Sequence, residues 1–260
     1  IVKGSVMKVI ISPAKKMNVE PELYPYREVP QFLAEASELA EWIRALTYEE
    51  AKELWKCNDA IARQNYERFQ KMNLEKNLTP AILAYEGIQY QYMAPSVFED
   101  REIAYIQEHL YILSGFYGAL KPLDGIVPYR LEMQAKAAVA GTKDLYGFWG
   151  DRLYRAVRGE DGVIVNLASK EYSRCVEKYL QPEDRYVTCV FGEAADGKVR
   201  QKATLAKMAR GEMVRYMAQT GAREPENLKG FDHLGYRFSE KHSTPENYVF
   251  LKINDEKERE

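Results

Sequence analysis

Val163-Ile164-Val165-Asn166-Leu167-Ala168 is apolar at almost every position, and it runs directly into Ser169. A strand with no polar face is one covered on both sides, as in the middle of a largely parallel sheet. Serine is a residue type that starts helices, so a helix is expected from Ser169 to about Leu180. A strand that hands over to a helix through a serine points to an α/β architecture. The pattern recurs near the start. Val6-Met7-Lys8-Val9-Ile10-Ile11 has the composition of a short buried strand and meets Ser12-Pro13-Ala14-Lys15, a helix-start or turn signal.

Working outward, Gln31 to Leu46 has apolar residues at helical spacing. Thr47 is an N-cap for a helix over Tyr48 to Lys56, with Glu50 in the reciprocal capping position. Asp59 to Met72 continues helical. Ala81 to Tyr85 is expected as a strand ending near Gly87. Asp100 to His109 is expected as a helix, Leu110 to Leu113 as a strand, and Lys143 to Val157 as one helix carrying Trp149 and Asp151. Tyr186 to Phe191 and Lys198 to Ala203 flank Asp196-Gly197, a hairpin turn. Leu205 to Thr220 is a helix, and Gly235 to Phe238 and Tyr248 to Lys252 are late strands. Strands and helices intermingle with no proline- or serine-rich linker and no internal repeat. The expectation is a mixed α/β fold, a single compact domain over 7–253. Residues 1–6 are expected as an N-terminal extension ahead of Met7, and 254–260 as a charged, disordered tail.

The chain has 260 residues, 46% hydrophobic and 29% charged, an ordinary globular composition with enough mass for a sizeable core. Its 37 basic and 39 acidic residues nearly cancel, so a nucleic-acid site has to be a local basic patch. Cys57, Cys175 and Cys189 are odd in number and far apart, which argues against a disulfide framework and for a reducing, cytoplasmic setting. No apolar run approaches the ~20 residues that span a bilayer, so no membrane partner is expected. His109, His233 and His242 are not at ligand spacing and there is no C-x-x-C, so neither metal nor cofactor is expected. There is no serine elbow, phosphate loop or dinucleotide fingerprint. A monomer is expected.

Several residues invite a chemical role, each beside a plainer one. Ser12 and Ser169 follow strands and could seat an anion at a helix N-terminus, with Lys15 and Glu171 in the first turns; simple N-caps would look the same. Arg130 and Glu132, two apart in Pro128-Tyr129-Arg130-Leu131-Glu132-Met133, share a face if the segment is extended. They form either a structural ion pair or part of a polar cleft, with arginine gripping phosphate and glutamate orienting a base or water. Lys207, Arg210 and Arg215 fall on one broad side of a helix, either as a solvated face or as a ligand surface. Gly211 among them hints at close approach by a backbone or a ligand. Gly115-Phe116-Tyr117-Gly118, with Lys121 after it, could be a tight turn whose amides face a phosphate, as in helix-hairpin-helix elements. That element usually has one residue between its glycines, and this chain has two. The plainer role is an element end that needs glycine. The 19 tyrosines could stack bases, but packing accounts for most.

In these blocks the chain resembles the YaaA peroxide-stress protein family, from Met7 to about Lys252. The resemblance rests on Ile11-Ser12-Pro13-Ala14-Lys15, Leu113 to Gly118, Pro128 to Met133, Phe148-Trp149-Gly150-Asp151, Val165 to Tyr172 and Ala206 to Arg215. It implies a cytosolic protein that helps cells survive hydrogen peroxide and lowers unincorporated intracellular iron. It also implies a single α/β domain with a helix-hairpin-helix-like element, a positively charged cleft and binding to duplex DNA. Glu86-Gly87-Ile88 departs from the family, which often has a basic residue before this glycine and an acidic one after it; if these residues form the cleft rim, its charge differs here.

Two functions follow. One is a DNA-binding stress protein that contacts duplex DNA through Gly115, Gly118, Lys121, Lys207, Arg210 and Arg215. The alternative is an enzyme acting on a nucleotide or DNA base, with Glu132 or Glu171 as general base and Arg130 as anion anchor. An iron-binding protein ranks below both for want of ligand clusters. Arg130, Glu132, Asn166, Ser169, Lys207 and Arg210 are expected to converge on one cleft, with Ser12 and Lys15 beside them.

Overall fold

A computed structural model describes residues 6–19 and 24–253. The expected extension, apart from Val6, and the expected tail lie outside these residues. β1 (Lys8–Ile11) and a two-residue strand β2 (Lys16–Met17) precede three helices, α1 (Leu33–Arg44), α2 (Tyr48–Trp55) and α3 (Asp59–Lys71). α1 buries Ala36, Leu39, Ala40 and Ile43, the i, i+3, i+4, i+7 stripe seen in the sequence. At α2 the Thr47 hydroxyl accepts the Glu50 N–H at 3.2 Å, and the Glu50 carboxylate accepts the Thr47 N–H at 2.8 Å. That is the expected capping box.

Four short elements follow: β3 (Thr79–Pro80), α4 (Ala81–Ala84), β4 (Tyr85–Glu86) and α5 (Ile88–Met93). The strand expected over Ala81 to Tyr85 is corrected here to one helical turn and a two-residue strand. Every residue of Ala81–Ala84 is buried, so periodicity could not separate helix from strand. The first two N–H groups of the turn donate to the carbonyls of Asp124 and Pro122 instead of to a neighbouring strand. α6 (Asp100–His109) runs into β5 (Leu110–Ser114), then β6 (Gly118–Leu120) and β7 (Gly125–Ile126). The single helix expected over Lys143 to Val157 is two, α7 (Leu145–Trp149) and α8 (Arg152–Arg158). Gly150 between them has φ 52°, which ends the first helix.

β8 (Val163–Leu167) and α9 (Lys170–Glu177) are the expected central strand and the helix that follows it. β9 (Arg185–Ala195) and β10 (Lys198–Arg200) form the expected hairpin. Asp196 and Gly197 both have positive φ, as a type I′ turn requires. α10 (Ala203–Thr220), β11 (Tyr236–Phe238) and β12 (Asn247–Lys252) complete the described chain.

The main sheet has the order β11-β12-β9-β8-β1-β5-β6, with β10 paired to β9. β12, β9, β8, β1 and β5 run parallel; β6 and β11 are antiparallel edges. β8 and β1 lie at the centre, and Ile10, Ile11, Ile164, Val165 and Leu167 are fully enclosed. The chain goes from β1 to β5 on one side, then returns past β1 to build β8, β9 and β12 on the other. The order therefore reverses between β1 and β8, and in open α/β sheets the crevice at the carboxyl ends of such strands is where ligands bind. Among the described residues no helix is long and apolar enough to cross a membrane.

Candidate functional site

Ser12 and Ser169 leave the carboxyl ends of β1 and β8 at that reversal. The Ser169 N–H donates to Ser12 Oγ at 2.8 Å, and the Ser12 hydroxyl donates to Ser169 Oγ at 3.2 Å. The Ser12 carbonyl accepts the Tyr90 hydroxyl at 2.8 Å and the Gln89 amide at 3.2 Å, both from α5. Ser169 stands at the N-cap of α9, but its hydroxyl caps no N–H of that helix. Of the helix start or turn expected at Ser12-Pro13, the structure has the turn, irregular and leading into β2. Pro13 disfavours the helical region for its predecessor, so Ser12 leaves β1 without starting a helix.

The two serines sit in a cleft of about 390 Å³. Arg130 and Glu132 both reach it from one irregular segment, with Leu131 buried between them, the shared side that the spacing implied. Lys15 follows Ser12, Glu171 comes from the first turn of α9, and Lys207 and Arg210 project from α10. The expected convergence therefore holds for five of its six residues, with Ser12, Lys15 and Glu171 added. Asn166 does not line the cleft. It is buried in β8, where its Oδ1 accepts the Ala168 N–H at 2.8 Å and its amide donates to Thr188 Oγ1 at 3.3 Å.

Glu132 is 19% exposed and bridges two cations, with Lys15 Nζ at 3.2 Å and Arg130 Nη2 at 3.7 Å. The Arg130 side chain is 12% exposed and also donates to the Trp55 carbonyl at 3.4 Å. Its Nε is enclosed with no acceptor, and the same is true of Arg210 Nε. Burial lowers the pKa of Arg210. Glu171 accepts the Gln134 N–H at 3.2 Å. Burial raises the Glu171 pKa, that backbone hydrogen bond opposes the rise, and the nearby Glu132 charge adds to it.

Sequence reasoning missed part of the lining. Lys16 and Glu86 face each other across the β2–β4 pair, 2.9 Å apart, and Glu86 also accepts the Asn18 amide at 2.8 Å. In the sequence Glu86 and Gly87 stand out as a departure from the family pattern that bears on the cleft rim, and both line the cleft. Tyr129 lies in the lining too. Its hydroxyl shares hydrogen bonds with Tyr85 at 2.7 Å and Ser114 at 2.6 Å, and burial raises its pKa to about 12. No sequence spacing signals that network, because its members are up to 44 residues apart.

The expected DNA-contacting glycines are placed differently. Gly115-Phe116-Tyr117 is the turn of the β5–β6 hairpin and Gly118 opens β6, so the helix-hairpin-helix expectation for this stretch is corrected to strand-hairpin-strand. The whole turn is buried, and the Phe116 and Tyr117 N–H groups donate to Ser114 Oγ at 3.2 and 3.0 Å. A Cβ on Gly115 would meet the Leu131 carbonyl at 2.6 Å, and one on Gly118 would meet Trp149 at 2.7 Å. Packing, not phosphate, explains both glycines. Lys121 lies outside the cleft, with its Nζ 3.6 Å from Glu28, and Arg215 is also absent from the lining. Gly211 does mark a close approach, by a backbone: a Cβ there would sit 2.0 Å from the Gln89 carbonyl of α5. Among the described residues no group of three or more His, Cys, Asp or Glu side chains is placed to share a metal ion.

Residues 7–242 match a family profile described as "Peroxide stress protein YaaA". UPF0246 proteins are similar over nearly their whole length. The one from Agathobacter rectalis is 54% identical over 244 residues, 94% of this chain and 98% of that protein. That from Lachnoclostridium phytofermentans is 55% identical over 246 residues, covering 95% and 96%. That from Desulfitobacterium hafniense is 53% identical over 251 residues, covering 96% and 100%.

Proposed function

The chain belongs to the peroxide stress protein YaaA family, and from that premise we propose that it protects cytoplasmic DNA against hydrogen peroxide by binding the duplex, as a monomer, over the cleft between β1, β8 and α10. The observation that carries this reading is the makeup of the lining: five cations, Lys15, Lys16, Arg130, Lys207 and Arg210, against three carboxylates, Glu86, Glu132 and Glu171. The lysines form the outer part. Lys15 and Lys16 side chains are 67% and 82% exposed, and Lys207 is exposed on α10. Exposed lysines suit a phosphate backbone, because contacts to phosphate hold a duplex without selecting its sequence. A lower pool of unincorporated iron is the cellular consequence that the family resemblance supports.

The test is duplex binding as a function of salt. Replacing Lys207 and Arg210 with alanine is expected to weaken binding to all sequences alike. It is also expected to flatten the dependence of log affinity on log salt, by about one for each phosphate that is no longer neutralised. Unchanged affinity in the double variant would overturn the assignment.

A second reading, an enzyme acting on a nucleotide or base, is favoured by Glu132 and Glu171. Carboxylates repel phosphate, so a groove that only clamps DNA gains nothing from them. Glu132 stands between two cations, while burial favours the neutral form of Glu171. Two acids in such different surroundings suit a base and an acid working together.

A further inference from the structure

We propose that the cleft is a receptor for a phosphate monoester, whose dianion seats between the guanidinium groups of Arg130 and Arg210. The proposal deepens the DNA reading and rests on the same cleft. Its starting point is Arg210. This side chain is largely enclosed, yet among the described residues no carboxylate pairs with it and no acceptor meets its Nε. Its electrostatic neighbour in the core is the Cys189 thiol, which burial pushes up to about 12, so it stays neutral. Buried cations are ordinarily paired. Arg130 lines the same cleft and also has an enclosed Nε that no protein group satisfies, although its Nη2 is held by Glu132 and the Trp55 carbonyl. The fold has enclosed the Nε of two arginines that line one cavity and supplied neither Nε with an acceptor. An anion that enters the cavity meets the guanidinium groups of both residues.

Charge selects the kind of anion. Five cations against three carboxylates leave a formal excess of two. A phosphate monoester carries about −1.5 to −2 at neutral pH, whereas a backbone diester carries one charge. Guanidinium forks also match the planar pairs of oxygens that phosphate presents. The Ser169 hydroxyl, which caps nothing, supplies a further donor. A volume of about 390 Å³ admits a ligand the size of one nucleotide and excludes a duplex. The monoester is either a free phosphorylated small molecule or the terminal phosphate of a broken strand, and the same chemistry recognises both.

Calorimetry on the full chain tests this with matched pairs: adenosine 5′-monophosphate against adenosine, and a blunt duplex carrying 5′- or 3′-terminal phosphates against the same duplex with hydroxyl ends. At least one phosphorylated member is expected to bind tenfold or more tightly than its partner. Discrimination within the nucleotide pair alone assigns a free small molecule; discrimination within the duplex pair assigns a strand end. Arg210→Met keeps the stem, removes the unpaired charge and is expected to abolish the preference. Equal binding within every pair overturns the proposal, and this wild-type comparison needs no variant to fold. A preference that survives in folded Arg210→Met also overturns it. Salt-sensitive binding of the hydroxyl-ended duplex reports on the DNA reading separately, so either idea can fail without the other.

Discussion

Glu132 is where the two functional readings part. It is clamped between Lys15 and Arg130, so it either neutralises those cations or works beside them. Glu132→Gln keeps the shape and removes the charge. If the carboxylate is only electrostatic, the variant binds duplex DNA more tightly and still protects cells from peroxide. If chemistry is involved, it binds as well or better and protection is lost. Measuring affinity and peroxide survival together separates the two, and retained protection sinks the enzyme reading. At this scale the sequence was informative wherever a polar residue stood at the end of a strand or beside a glycine. Ser12 and Ser169 follow strands and Arg210 stands beside Gly211, and all three line the cleft; Arg130 and Glu132, two apart, and Lys207, one turn before Arg210 on α10, line it as well. Asn166 satisfies that pattern too and points elsewhere, because an asparagine at a strand end can satisfy its own backbone two residues on. Lys16 and Tyr129 were illegible as site residues, since only tertiary pairing brings them to the cleft, and Glu86 was legible only through the departure from the family pattern.

The packing of α5 against α10 depends on a missing side chain. Alanine at position 211 would gain helix propensity, about 1 kcal/mol over glycine. It would also drive a methyl group into the Gln89 carbonyl, which is backbone and cannot turn away. Overpacking of this kind costs ~1–3 kcal/mol and occasionally more. With the clash as close as 2.0 Å the upper end applies, so Gly211→Ala is expected to lower stability by about 2 kcal/mol net of the helix gain, seen as a reduced midpoint in urea. A variant as stable as the parent would show that α5 yields freely. Displacing α5 also withdraws Tyr90 and Gln89 from the Ser12 carbonyl, so the cleft should loosen with it. Elements were legible where period and caps agreed, as in α1, α2, α6, β8 and the β9–β10 hairpin. They were illegible where a short apolar run was enclosed on all sides, as in Ala81–Ala84, or where a glycine's φ broke an unbroken pattern, as at Gly150. The β5–β6 turn misled because paired glycines that pack against Leu131 and Trp149 look, in one dimension, like glycines that approach a phosphate.

Global stability should carry the imprint of Asp124. Its carboxyl is buried, and burial raises its pKa from 3.8 to about 7, although it accepts the Lys121 N–H at 2.8 Å. The folded chain keeps a proton there that the unfolded chain releases near pH 4. This group's contribution is therefore fully present below pH 4, falls as the pH rises towards about 7, and is level above that. Asp124→Asn keeps an acceptor for Lys121 and removes the titration. The stability difference between variant and parent should grow by a few kcal/mol between pH 4 and 7, in the variant's favour. Taking the difference cancels His109, whose pKa burial lowers and which pulls the other way. A difference that does not change with pH would show that the carboxyl is ionised throughout. The hydroxyl clasp between Ser12 and Ser169 has a consequence in time as well as space. It joins positions 157 residues apart, and the last cleft cation, Arg210, comes later still. On the ribosome, β1 emerges early and then waits for β8 to insert beside it in the middle of the sheet. Until α10 has left the exit tunnel, no nascent chain can have the site, so a truncated product has no part-working version of it to offer.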